Sequence, residues 1–183
     1  MRKIASGFLA ILVACAVLAG PLPAINATTP SLPAIWITPD QSFTTSTPVG
    51  TSFVETVCAG VASGQDAFTY QVNVTYDPTM LNATSVKYTA PSGSLWWSAH
   101  STTRVNPVIN RTSGLIVLGE TLFAPDFEPG PSSGSICNIT FAIIATPTAG
   151  HNFTCKIDAH QPKGSYILDP TLTLIAPLSF QAA

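Results

Sequence analysis

An all-β sandwich of short antiparallel strands is the fold this sequence predicts, and three observations carry the expectation. Apolar and polar residues alternate strictly in several segments, Pro, Gly, Ser and Thr clusters interrupt the apolar runs roughly every ten residues, and no segment sustains a helical period. Alternation matters because successive side chains of a strand point to opposite faces, so one parity packs inward while the other meets solvent.

The chain opens with Met1-Arg2-Lys3 and an apolar run from Ile4 to Leu18, the charged and apolar regions of a secretory leader. That run is short for a bilayer span. Ala19 to Ala27 supplies a signal-peptidase region, with Ala24 or Ala27 as the last residue removed. The expected organisation is a leader over residues 1–27 and a single domain over 28–183, with no transmembrane segment in the mature chain. A competing reading takes Leu12-Val13-Ala14-Cys15 as a lipobox, which would anchor the chain to a membrane through Cys15. Either way the chain is exported. Without the leader, five basic side chains face nine acidic ones, a balance that argues against nucleic acid as a partner.

In Phe68 to Tyr76 the residues Phe68, Tyr70, Val72, Val74 and Tyr76 share one parity, which marks a half-buried strand with those five facing the core. Cys137 to Ile143 alternates likewise, and so does Asn152 to Asp158 after the turn at Thr146 to Gly150, as a hairpin or a sheet-to-sheet crossing. Further strands are expected at Ala34 to Thr38, Thr51 to Cys58, Ser85 to Tyr88, Thr102 to Ile109, Leu115 to Leu122, Tyr166 to Leu168 and Thr171 to Ile175. Asn110 to Gly114 reads as a turn, and Ala124 to Ser135 as a long surface loop.

Six of the seven asparagines stand in N-x-T sequons: Asn26, Asn73, Asn82, Asn110, Asn138 and Asn152. None is N-x-S despite abundant serine, which favours selection for N-glycosylation over accident. In the alternating strands Asn73, Asn138 and Asn152 fall on the outward parity, as a glycan requires.

No H-x-x-H and no Gly-rich phosphate loop occurs, so neither an enzyme nor a cofactor site is expected. His100, His151, His160, Glu120, Asp126 and Glu128 are scattered singly. Asp126 and Glu128 flank Phe127, but two carboxylates in a loop do not make a calcium site, and no metal is expected. Trp96-Trp97, with His100 and Arg104 downstream, is the most site-like cluster. If the pair lies on a strand, one indole packs inward and the other is free to stack on a sugar. Cys58, Cys137 and Cys155 remain after the leader, an odd number that cannot all pair within one chain. A Cys137 to Cys155 bridge is one arrangement, and burial of all three as small apolar side chains is another.

Val49-Gly50-Thr51-Ser52-Phe53, then Tyr70-Gln71-Val72-Asn73-Val74-Thr75-Tyr76-Asp77-Pro78-Thr79-Met80-Leu81, then Gly134-Ser135-Ile136-Cys137-Asn138-Ile139-Thr140-Phe141, resembles the cohesin domain family in order and spacing. The resemblance implies an antiparallel jelly-roll sandwich of about nine strands, related in architecture to carbohydrate-binding modules. It also implies a surface role in holding another extracellular protein or a polysaccharide. It places the strands of Cys58 and Cys137 side by side, which favours a disulfide between them. Cohesins that bind dockerins carry short polar side chains, often Asn or Asp, where this chain has Thr69 and Gln71, and a glycan on Asn73 would cover the same face. Glu55 points inward in the family's phase unless a bulge near Thr56 turns it out. Independently of the family, Asp77-Pro78 suits a turn in which the Asp side chain accepts backbone hydrogen bonds, with Leu81 packing back on the core.

The expected function is that of a secreted, glycosylated interaction module. The alternative is a pilus or filament subunit in which Ala34-Ile35-Trp36-Ile37-Thr38 adds as a strand to a neighbouring molecule.

Overall fold

The computed structural model describes residues 30–39, 47–90, 93–94, 96–146, 156–157, 164–176 and 178–181. The leader, Cys15, Asn26, His151, Asn152, Cys155 and His160 lie outside the described residues.

The strands are β1 (Ala34–Thr38), β2 (Ser52–Val61), β3 (Asp66–Ala67), β4 (Thr69–Thr75), β5 (Leu81–Tyr88), β6 (Thr102–Asn110), β7 (Leu115–Leu122), β8 (Glu128–Pro129), β9 (Ser132–Ile143), β10 (Lys156–Ile157), β11 (Tyr166–Leu168) and β12 (Ser179–Gln181). One sheet runs β12-β1-β2-β9-β5 and the other β10-β4-β7-β6, with β11 also on β4 and a small β3-β8 pair beside them. β10 and β11 pair with successive parts of β4, Ile157 opposite Val74 and Tyr166 opposite Gln71, so they form one interrupted edge. Counted so, the two sheets hold five and four strand positions, in agreement with the expected nine. β1 and β12 pair in parallel, a departure from the all-antiparallel expectation. β9 lies in the first sheet and β10 in the second, so the connection between them is a crossing and not a hairpin.

Alternation produces the core as the pattern predicts. Tyr70, Val72 and Val74 of β4 line the inner side of the second sheet together with Ile116, Leu118 and Leu122 of β7, and Ile139, Phe141 and Ile143 of β9 close the space from the other sheet. Phe53 stacks on Phe141 at 5.4 Å and Tyr76 meets the same ring edge-on at 5.2 Å. Phe68 is only partly buried against this core.

Asp77 behaves as its motif implies: Oδ1 accepts from the Thr79 N–H at 2.9 Å and hydroxyl at 2.6 Å, which hold its carboxyl below the usual carboxylate range. The same Asp-Pro-Thr sequence recurs at Asp169-Pro170-Thr171 with the same result, Asp169 Oδ1 accepting from Thr171 and from the Thr173 N–H. The expected strand at Thr171 to Ile175 is therefore a side-chain-closed turn with a single bridge between Leu168 and Leu174.

The fold resolves four further expectations. Glu55 stays inward and buried, because β2 keeps its register with β9 through Val57 and the bulge, with Ile136 of β9 as the extra residue, falls only between Val57 and Cys58. That bulge also separates the thiols: Cys137 lies in the main core, whereas Cys58 joins Ala34 and Trp36 in a small cluster of its own, and both are free. Burial pushes the Cys58 thiol up to about 11, and Cys137 higher still, so neither is a ready nucleophile. Finally, Ala34–Thr38 is not an available strand, since β2 pairs along its whole length and β12 along Ala34 to Trp36. The expected loop after Ala124 is also shorter than read, with β8 inside it and β9 beginning at Ser132.

Candidate functional site

The outer face of the second sheet is built in rungs. Tyr166, Gln71, Gly119 and Val105 form one, because each pairs with the next across β11, β4, β7 and β6. Thr69, Thr121 and Thr103 form the rung beside it, with the Thr69 and Thr121 hydroxyls 2.6 Å apart. Val117 and Val108 continue on the other side. Since Gly119 has no side chain, the middle of the face is a trough of about 200 Å³ walled by Gln71, Tyr166 and Val105. Val105 and Val108, 59 % and 58 % exposed, leave apolar surface along its rim. Thr69 and Gln71 thus both reach the one face the sequence assigned to them. Gly119, Val105 and Tyr166 were missed, although the parity of β7 and β6 carries the signal.

Beneath the trough lies a buried carboxylate. Glu120 is on the inward parity of β7, 2 % exposed, and accepts from Tyr70 Oη at 2.7 Å, Thr102 Oγ1 at 2.6 Å and the Ser94 N–H at 3.1 Å. Burial, then the Glu120 charge and this hydrogen bond, push the Tyr70 phenol far above its ordinary range. A Cβ on Gly93 would fall 1.8 Å from Glu120 Oε1, so only glycine fits there. Satisfied donors around a buried anion serve to fix the strands under the trough.

Trp96 and Trp97 complete that support and are not a ligand platform. They lie in a turn over residues 96–99 instead of a strand, so parity does not separate them. Both are buried, stacked on each other at 5.2 Å, with Trp97 4.8 Å from the Tyr70 ring. Neither indole is free to stack on a sugar.

His100 links two loops. Nδ1 lies 2.6 Å from Asp126 Oδ2 and Nε2 lies 2.7 Å from Glu128 Oε2, so an imidazolium donates to both carboxylates. Partial burial works against its charge, but the hydrogen bonds and charges of Asp126 and Glu128 outweigh that and raise it above its ordinary value. Asp126 and Glu128 therefore hold a histidine. Among the described residues no group of three or more His, Cys, Asp or Glu side chains is arranged to hold a metal ion.

The sequon asparagines divide. Asn138 on β9 and Asn110 at the start of the β6–β7 turn are exposed, and Asn82 on β5 is half-buried. Asn110 Oδ1 also accepts from the Thr112 and Ser113 N–H groups, which closes that turn. Asn73 lies on the outward parity as expected but is only 6 % exposed, which corrects the expectation that it faces solvent.

Two β-sheets in this order, with an open outer face on β4, β7 and β6, define a cohesin-like sandwich. Among solved structures, the chain is similar to a type II cohesin domain from the cellulosome of Acetivibrio cellulolyticus at 16 % identity, covering 82 % of this chain and 92 % of that one with a TM-score of 0.57. It is similar to type II cohesin A11 from Bacteroides cellulosolvens at 17 % identity, covering 82 % and 96 % with a TM-score of 0.56. A third likeness, to the cohesin of a type II cohesin–X–dockerin complex from Acetivibrio cellulolyticus, has 17 % identity, coverage of 81 % and 95 %, and a TM-score of 0.55. At such identities these likenesses show the fold. No family model and no curated protein sequence matches the chain. Among the described residues no helix is long and apolar enough to cross a membrane.

Proposed function

We propose that this chain is a secreted, N-glycosylated protein-binding module whose partner docks on the outer face of β4, β7 and β6. The observation that carries the reading is the trough over Gly119, an open surface with an apolar rim at Val105 and Val108, in which Arg104 is the one exposed charge among the lining residues and Glu120 is buried beneath. Threonines, a glutamine and valines can bury without the desolvation cost of charges, which suits contact with a folded protein. Structural neighbours were crystallised holding dockerins, which supports a protein partner in general. Thr69 and Gln71 in place of short Asn or Asp side chains argue for a partner other than a dockerin. The indoles that favoured sugar binding are packed inside, so polysaccharide becomes an outcome of the test.

A photo-crosslinking residue placed at Val105, and in a second sample at Thr84 on the opposite sheet, distinguishes the faces when the protein is returned to the extracellular medium of its source. The reading expects a discrete protein adduct from position 105 and none from 84. Adducts from 84 alone, or retention on polysaccharide with no protein adduct, would overturn it.

A further inference from the structure

Asn73 combines a sequon with burial, and its cover is the segment that leads into β11. The edge partner of β4 reaches Val74 from one side and Gln71 from the other, leaving Asn73 beside the gap. Ser165 fills that gap. Its hydroxyl accepts from the Asn73 N–H at 2.9 Å and donates to the Asn73 carbonyl at 3.3 Å, in place of the missing ladder bonds. Gln71 Nε2 lies 3.3 Å from Asn73 Oδ1 and 3.2 Å from the Gly164 carbonyl. Ser165 is fully buried, so the carboxamide is enclosed by its own strand and the incoming segment. A sugar on Nδ2 has no exit from that enclosure.

We propose that glycosylation of Asn73 and seating of the segment 164–168 on β4 exclude each other, so that this acceptor is open only before the edge closes. The inference rests on the reading that the sequons are used. The chemistry is the transfer of an oligosaccharide from a polyprenyl-phosphate-linked donor. The Nδ2–C1 bond forms, the C1–O bond to the lipid phosphate breaks, and one amide proton leaves with that phosphate, with no change of oxidation state. Asn73 precedes its cover by 92 residues, so synthesis itself provides an interval in which the amide is exposed. A chain modified in that interval keeps the outer edge of β4 unpaired and carries sugar beside the trough. A chain that closes first presents that face bare.

Two measurements test this on the full chain secreted from a glycosylating host. Glycopeptide mass spectrometry locates the sugars, and hydrogen exchange compares molecules with and without sugar at Asn73. Amides of Tyr166 to Leu168 are expected to exchange roughly 100-fold faster in the modified form, as for a segment released from its ladder, while sugar at Asn138 leaves them unchanged. In chain made without glycosylation, the Asn73→Cys thiol is expected to react with a polyethylene-glycol maleimide roughly 100-fold more slowly than the Asn138→Cys thiol, and equally fast in denaturing urea. Equal labelling in the folded protein, or full protection of 166–168 beneath a sugar on Asn73, overturns the exclusion while sugar on Asn138 leaves the glycosylation reading standing. Absence of sugar from Asn138 as well removes that reading and the exclusion with it.

Discussion

The two outer faces of the sandwich follow the same alternation rule and offer solvent opposite things. On the first sheet Asn138 stands exposed in the middle of β9, where its Oδ1 accepts from Thr56 across the strand pair. On the second sheet Asn73 has the equivalent outward parity and is covered by Ser165. Parity therefore decides which way a side chain points, but whether it meets water depends on what the edge strand brings over it. The faces also differ below the surface, the second resting on the Glu120 hydrogen bonds and the Trp96–Trp97–Tyr70 stack.

The contrast can be broken most forcefully at that support. Trp97→Ala is expected to cost about 3–5 kcal/mol in urea unfolding, the range for removing a buried indole; a loss below about 1 kcal/mol would place the ring at the surface. Next comes a matched pair of charges. Asn73→Asp should cost about 2 kcal/mol at neutral pH by burying a carboxylate against Ser165, whereas Asn138→Asp should change stability by less than about 0.5 kcal/mol. Equal effects would mean that the cover over Asn73 is absent.

A smaller effect concerns His100. Its folded value is raised, so the stability it lends is fully present below the unfolded value near 6.5 and is lost as pH rises through the folded one. Because the cluster is in contact with solvent, less than about 1 kcal/mol is at stake. The melting temperature should therefore fall slightly between neutral and mildly alkaline pH, and His100→Gln should flatten that slope. The smallest stability effect is expected for Val108→Arg, within about 0.5 kcal/mol, although the same change should abolish capture of the docked partner by the crosslinker at position 105.

Much of this was legible in the residues. The strand at Leu115 to Leu122 has the bounds its pattern implied, and β4 faces the way its aromatic parity required. Glu120 could have been found there too, since it shares a parity with Ile116, Leu118 and Leu122. The tryptophans could not be separated by parity, because a turn does not alternate. The turn at Asp169 repeats the three residues at Asp77, a signal present but not used. What the sequence hides is contact between distant segments: Ser165 over Asn73, and His100 meeting carboxylates 26 and 28 residues away.

The bulge in β6 between Val105 and Val108 contains Pro107, which has no N–H to offer. Tyr88 of the opposite sheet reaches into it, its hydroxyl 2.8 Å from the Val105 carbonyl and 2.7 Å from that of Gly119, while Arg104 lies 5.3 Å over the ring. An approaching strand finds one donor missing and one acceptor already occupied. This border of the sheet is thus a poor template for zipping molecules together.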